Sequence, residues 1–140
     1  MKVDINELQV RRAKTERSMR SMYKKHIVQM NRVAKNSFGI DLYPNSYMDS
    51  IINIMVDDTV IATCAIHNNI IYNLCVDKKY RGNNISYILV KNAVKIIKKN
   101  SYPCVFLDSS NPIAQHVYEK CGFIMTSGYD GGKKYYKLNL

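Results

Sequence analysis

The chain has 140 residues, 46% of them hydrophobic, enough for one compact domain spanning 1–140 with a real core and no room for a second. Its formal charge is +10, and the surplus lies early: Met1 to Ile40 carries ten Lys and Arg against Asp4, Glu7 and Glu16. No apolar run approaches the roughly 18 residues of a membrane span, and the charged start MKVDINELQVRR does not spell a secretory signal. The expectation is therefore a cytoplasmic protein with no membrane partner.

Cys64, Cys75, Cys104 and Cys121 form no C-x-x-C pair, and three of them sit in apolar runs, as buried free thiols of a reducing compartment would. His26, His67 and His116 are scattered without ligand spacing, so no metal is expected. A basic surface can attract an anionic small molecule, an acidic protein or nucleic acid. Charge alone does not choose among these, and a solvated helix face would carry the same residues.

In chain order, Leu8 to Arg12 alternates apolar and polar as a short edge strand, and Thr15 is placed to cap a helix. Met19, Met22, Tyr23, Ile27, Met30, Val33 and Ala34 then recur at spacings of three and four. This predicts one long amphipathic helix, or two with a break, ended between Asn36 and Gly39, with the methionine stripe in the core. Arg17, Arg20, Lys24, Lys25 and Arg32 occupy the opposite face.

Asp41 to Ser50, with Pro44, Asn45 and Ser46, reads as loop. Ile51–Val56, Val60–Ile66 and Ile70–Val76, separated by Asp57-Asp58 and Asn68-Asn69, read as an antiparallel three-strand meander. The polar turn Asp77 to Asn84 then leads into apolar periodicity at 85, 88, 89, 93, 96 and 97, a helix ending near Lys98 to Asn100. A strand feeding a turn at a helix N-terminus offers unpaired N–H donors and a favourable dipole, which suits a phosphate or pyrophosphate. Neither G-x-x-x-x-G-K-[ST] nor G-x-G-x-x-G is present.

Cys104 to Leu107 is a short apolar strand, expected to lie parallel to Ile70–Val76 because a helix connects them. Asp108-Ser109-Ser110-Asn111 reads as a polar turn with several candidate caps, and Pro112 fits a first helical turn. Ile113, Ala114, Val117, Tyr118 and Cys121 give the next helix its apolar face, closed by Gly122. Phe123 to Thr126 and Lys134 to Leu138 are two final strands, and Gly128-Tyr129-Asp130-Gly131-Gly132 between them reads as a hairpin turn, not a phosphate loop. The resulting order, β-α-(α)-β-β-β-α-β-α-β-β, is a mixed α/β layer fold.

Two of these stretches resemble the GNAT superfamily of N-acetyltransferases. Arg81-Gly82-Asn83-Asn84-Ile85-Ser86 is similar to the superfamily's motif A loop, [RQ]-x-x-G-x-[GA]. Asn111, Ala114, Tyr118 and Glu119-Lys120-Cys121-Gly122-Phe123 are similar to its motif B, N-x-x-A-x-x-x-Y-E-K-x-G-F. With the flanking elements, the resemblance covers nearly the whole chain.

The resemblance implies a GNAT fold, an α/β (α+β) architecture with a mostly antiparallel sheet splayed between its fourth and fifth strands and helices on both faces. It implies acetyl-CoA as cosubstrate and transfer of acetyl to a primary amine, on a small molecule or a protein, by direct attack in a ternary complex. Main-chain groups of Leu74, Cys75 and Val76 would pair with the pantetheine arm, the Leu74 N–H serving as oxyanion donor. Arg81, Gly82, Asn83, Asn84, Ile85 and Ser86 would hold the pyrophosphate, and Asn111 would bond the arm. Tyr118 would bind beside the sulfur and act as general acid, its bland alternative being a core tyrosine.

The base is open. The superfamily's glutamate position falls on Ile70, leaving Asp108, His67, Tyr72 or a water; Asp108 could equally cap the following helix. Asn84 and Ser86 stand where the motif has Gly and Gly or Ala, so crowding could weaken coenzyme binding. The basic first helices favour an acceptor carrying negative groups.

A second reading keeps the GNAT shape without turnover, as a module engaging an acidic protein or RNA through the basic helices. Against nucleic acid stands the lack of aromatic residues interleaved with Arg17, Arg20, Lys24 and Lys25, apart from core-facing Tyr23. A hydrolase built on Ser109 or Ser110, His116 and Asp108 lacks a G-x-S-x-G elbow. Oligomeric state is not written in the sequence, and a dimer is compatible with it.

Overall fold

A computed structural model describes residues 2–45, 47–128 and 132–140. The strands are β1 (Leu8–Ala13), β2 (Ser50–Val56), β3 (Thr59–His67), β4 (Ile70–Val76), β5 (Cys104–Ser109), β6 (Ile124–Gly128) and β7 (Lys134–Asn139). They form one sheet in the order β1-β2-β3-β4-β5-β7-β6, antiparallel throughout except where β4 meets β5. This is the mixed, mostly antiparallel sheet expected of the GNAT fold.

Helix α1 (Glu16–Phe38) is continuous: nothing between Thr15 and Gly39 breaks it, so the two-helix alternative falls away. Thr15 and Ser18 cap its start reciprocally, and Gly39, at φ 76°, ends it in the left-handed region. Its Met22, Met30, Val33 and Ala34 pack on Ala13, Ile51, Met55 and Ala65 of the sheet. Helices α2 (Ile85–Lys99) and α3 (Pro112–Lys120) belong to a second cluster with Ile52, Ile54, Cys64 and Ile66. Neighbours along β2 thus alternate between clusters, as a period of two requires, and the sheet lies between α1 and the α2/α3 pair.

Leu89, Ala93 and Ile97 of α2 are fully buried against Val105 and Leu107 of β5. Burying each Leu or Ile side chain contributes about 1.5–3 kcal/mol. Cys64, Cys75 and Cys104 are buried and Cys121 half-buried, all as free thiols. Burial pushes the Cys75 thiol up to about 12 and Cys64 further still, so both are inert at neutral pH.

The expected turn from Asp108 to Asn111 is corrected: Asp108 and Ser109 continue β5, because β7 extends opposite them with the pairs Asp108↔Tyr135 and Ser109↔Lys134. β6 begins at Ile124, one residue later than expected. Of the glycine-rich hairpin, residues 129–131 lie outside the described residues, as does Ser46 of the earlier loop. Among the described residues, no helix is long and apolar enough to cross a membrane.

Candidate active site

β4 and β5 meet through a single pair, Ile70↔Phe106, with the Phe106 N–H donating to the Asn69 carbonyl at 2.9 Å. From Ile71 to Val76 no residue of β4 pairs with β5, so the two strands part after their first contact. On its other side β4 pairs with β3 through Tyr72↔Ala65 and then Cys75↔Thr63. Asn73 and Leu74 therefore stand opposite the one residue Cys64, a bulge in which Asn73 takes φ 55°. The sheet thus opens as a wedge beside the main-chain bulge at Asn73 and Leu74.

The strand leads into a short 3-10 turn, Lys78–Tyr80, whose cap Asp77 accepts from the Lys79 N–H at 3.0 Å. Asp77 is only 3% exposed and bonds the Arg32 guanidinium at 2.6 Å, while Arg32 also donates to the Val60 carbonyl at 3.0 Å. Burial alone would raise the Asp77 pKa. The hydrogen bonds from Arg32 and the Lys79 N–H, with the charges of Arg32 and Lys79, outweigh it and hold the carboxyl below its usual range.

Next, Arg81 is exposed, and Gly82 at φ 88° has nothing within 4 Å of where a Cβ would lie. The Asn83 amide accepts from the Val3 N–H at 3.0 Å and donates to the Tyr80 carbonyl at 2.8 Å. Asn84 adopts φ 60°, ψ 22°, the left-handed conformation that asparagine tolerates best after glycine. Ile85 is buried, anchoring the helix start. The first rung of α2 is Ile88 N–H to Asn84 at 3.1 Å, so the N–H groups of Ile85, Ser86 and Tyr87 precede it; none donates to another described residue. Lys91 and Lys120 both lie over the Tyr87 ring, at 5.5 and 5.6 Å from its centroid, adding positive charge within a turn of these donors.

The far wall of the wedge is β5 and α3. Asn111 caps α3, its side-chain oxygen accepting from Ile113 and Ala114 at 2.9 and 3.5 Å, which leaves its NH₂ as the remaining donor. Asn111, not Asp108, fills the cap position, so the capping alternative for Asp108 is removed. Buried Gln115 donates to the Ser109 carbonyl at 2.7 Å and the Gly132 carbonyl at 2.8 Å, tying α3 to β5 and to the turn before β7.

Tyr118 is 5% exposed and packs edge-on to Tyr136, with ring centroids 6.0 Å apart. Burial, then the nearby Cys64, Asp108, Cys121 and Tyr136, raise its phenol well above the ordinary value near 10, so it keeps its proton at neutral pH. No hydrogen bond to its hydroxyl occurs among the described residues. The Tyr136 hydroxyl, in contrast, is tied to Glu119 at 3.3 Å.

On the sheet face opposite α2 and α3, a groove of about 390 Å³ is lined by Ile70, Tyr72, Phe106, Leu107, Asp108, Thr126, Ser127, Tyr135 and Tyr136. It thus reaches the Ile70–Phe106 pair from which the wedge opens. Another depression, of about 420 Å³, lies against α1 and shares no residue with it. Asp108, Tyr72 and Ile70 therefore come together. His67 instead faces Asp49 at 3.5 Å outside the groove, and His116 is exposed on α3 with no hydrogen bond to Ser109 or Ser110 among the described residues. Among the described residues no three His, Cys, Asp or Glu side chains could hold a metal ion.

Several contributors were not legible as site residues in the sequence. Tyr135 and Phe106 reach the groove through non-local strand pairing, opposite Asp108 and Lys137, and Gln115 acts through main-chain carbonyls that no pattern announces. The lysines at Tyr87 carried a signal, the positive charge beside motif A and at the end of motif B.

The family model described as Acetyltransferase (GNAT) family matches residues 15–123. No curated protein sequence matches the chain. Solved structures with the same fold include an acetyltransferase from Bacillus anthracis in complex with acetyl coenzyme A, with TM-score 0.60 and 24% identity over 70% of this chain and 66% of that one. A GNAT family acetyltransferase from Elizabethkingia anophelis with acetyl-CoA bound gives TM-score 0.70 and 12% identity over 96% and 99%. The ribosomal-protein-S18-alanine N-acetyltransferase from Escherichia coli gives 0.69 and 12% over 94% of each chain. The chain thus spans just under two thirds of the Bacillus protein and nearly all of the other two. With the family match running over most of its length, and the sheet parting where that family's two motifs face each other, the chain belongs to the GNAT family of acetyltransferases.

Proposed function

We propose that the protein is an acetyl-CoA-dependent N-acetyltransferase that acylates a primary amine by direct attack in a ternary complex. One observation carries the reading: a parallel strand pair joined by a single rung opens beside a bulge and runs straight into a helix N-terminus with uncommitted donors. Relatives of the same fold that hold acetyl-CoA, and one named as an N-acetyltransferase, support it.

The wedge fits an extended amide-bearing arm, because the unpaired edge of Leu74, Cys75 and Val76 can bond it as a further strand would. Arg81, Gly82, Asn83, Asn84, Ile85 and Ser86 hold the pyrophosphate with main-chain donors at the positive end of α2, and Lys91 and Lys120 neutralise further phosphate charge. The Asn111 NH₂ donates to the arm. Bound acetyl-CoA supplies an activated acyl group as a thioester, whose C–S bond breaks as the amide C–N bond forms.

The Leu74 N–H stabilises charge growing on the carbonyl oxygen, an effect of about 3 kcal/mol. Asp108, at the groove side, takes a proton from the attacking amine. Tyr118 gives its proton to the departing sulfur, and water restores it. A phenol held protonated by burial can serve in this way across the neutral range.

Titration calorimetry with acetyl-CoA, followed by thiol release with a panel of amines, tests the assignment. Binding and amine-dependent thiol release are expected. Binding without release from any amine would mark a relative that has lost turnover, and no binding at millimolar acetyl-CoA would defeat the assignment altogether.

A further inference from the structure

The groove holds a charge pattern that specifies the acceptor, an inference that rests on the transferase reading. Phe106 and Tyr72 are large aromatic side chains left 38% and 39% exposed. Tyr135 lies beside them, the cross-strand partner of Asp108, while Lys137 is the cross-strand partner of Phe106. The Lys137 ammonium sits 5.9 Å from the Phe106 ring centroid. The Lys133 ammonium is 5.5 Å from the Tyr135 ring centroid and 4.0 Å from the Asp108 carboxylate. Among the described residues, the groove is therefore lined by aromatic side chains, Phe106, Tyr72 and Tyr135 among them, and one carboxylate, with two ammonium groups set beside them.

A lone carboxylate on aromatic walls would draw any cation. The two lysines change the selection, because a second positive charge on the acceptor meets Lys137 or Lys133 and is repelled. Lys133 holds Asp108 only loosely, both side chains being close to half exposed, so an incoming ammonium can replace it there. Asp108 and Phe106 are two residues apart on β5, so the Asp108 and Lys137 positions are separated by about 7 Å along the strand.

We infer that the acceptor is a small primary amine on an apolar, preferably aromatic, body that carries an anionic group about 7 Å from the amine, seated with its nitrogen at Asp108 and its anion at Lys137. The bias towards negative groups thus comes from the site's own lysines, without help from α1. Polyamines and lysine-rich peptides are excluded by the same charges.

Three probes share one ring and differ only in the distal charge: 4-(aminomethyl)benzoate, benzylamine and 4-(aminomethyl)benzylamine. Thiol release from acetyl-CoA should rank them in that order of kcat/KM, each step about fivefold, the size of a partly screened ion pair. Lys137→Gln should move the benzoate-to-benzylamine ratio towards one by raising KM for the benzoate, and Lys137→Arg should restore it. If acetyl-CoA binds but no probe turns over, calorimetry of the three amines against the protein–CoA complex must give the same ranking. Equal or better use of the dication, or a ratio indifferent to Lys137, overturns the inference and leaves the transferase reading standing. Failure of acetyl-CoA to bind overturns both.

Discussion

Ile70 and Phe106 are the one pair, among the described residues, through which β4 and β5 share a rung, and both also line the groove on the open sheet face. The seam that ends the strand pairing is thus the floor of the groove. On the proposed reading, a coenzyme in the wedge and an acceptor in the groove would meet at this seam, as direct attack requires.

Replacing Tyr118 with Phe removes only a hydroxyl from a buried ring packed on Tyr136 and Phe123, so folding should be kept. We expect kcat to fall about a hundredfold, with acetyl-CoA affinity nearly unchanged by calorimetry. Because burial raises this phenol, the wild-type rate should show no alkaline loss attributable to Tyr118 below about pH 10. A pH–rate profile checks this.

Asn84 occupies the left-handed region without a side-chain cap bond, at a position where its family's motif has glycine. Asn84→Gly should keep or raise the melting temperature and tighten acetyl-CoA binding by clearing a side chain from the loop. Asn84→Val should cost about 1–2 kcal/mol in urea unfolding, since a β-branched residue pays the full left-handed penalty. It should weaken binding as well.

The Arg32–Asp77 pair joins α1 to the turn before α2. Asp77 is ionised with a lowered pKa in the folded state, so its stabilising contribution is complete above the unfolded value near 4 and is lost as pH falls through the folded one. Arg32→Ala takes the guanidinium from the buried carboxylate, with the Lys79 N–H still donating to it. It should cost about 2 kcal/mol at pH 7, less than for a fully buried pair because Arg32 is half exposed. Acid unfolding followed by circular dichroism should begin at higher pH in the variant.

Gln115 satisfies two carbonyls with one amide nitrogen. Gln115→Glu replaces that donor with a carboxylate facing Ser109 and Gly132 oxygens, and should lose about 2–3 kcal/mol, measured from the urea midpoint. Activity should fall together with stability at moderate temperature, as β5 and α3 lose their alignment.

Much of this architecture is local in origin, which is why it can be read from the sequence. The Asp57 and Asn68 turns, the Thr15 cap, Pro112 and Gly122 each fix an element boundary with residues a few positions away. What could not be read depends on pairing between distant segments. Asp108 and Ser109 look like turn residues until Tyr135 and Lys134 extend the ladder opposite them, and that extension turns the Asp108 side chain from a candidate cap into a wall of the groove. The bulge at Asn73 is hidden for a like reason: only the register against Thr63 and Ala65 reveals the extra residue. On the proposed reading motif A and motif B would hold the coenzyme, while the groove that would take the acceptor is assembled from β4, β5, β6 and β7 and has no contiguous signature.

Since, among the described residues, a single ladder rung and the Asn69 side chain's bond to the Cys104 carbonyl join the half-sheet β1-β2-β3-β4 to the half-sheet β5-β7-β6, the angle between the halves depends strongly on what fills the space behind them. Leu89, Ala93 and Ile97, wedged against Val105 and Leu107, act as a shim whose thickness can change by single methylenes. Aperture in this molecule is accordingly a matter of side-chain volume, adjustable by small steps in the core without touching any residue that meets a ligand.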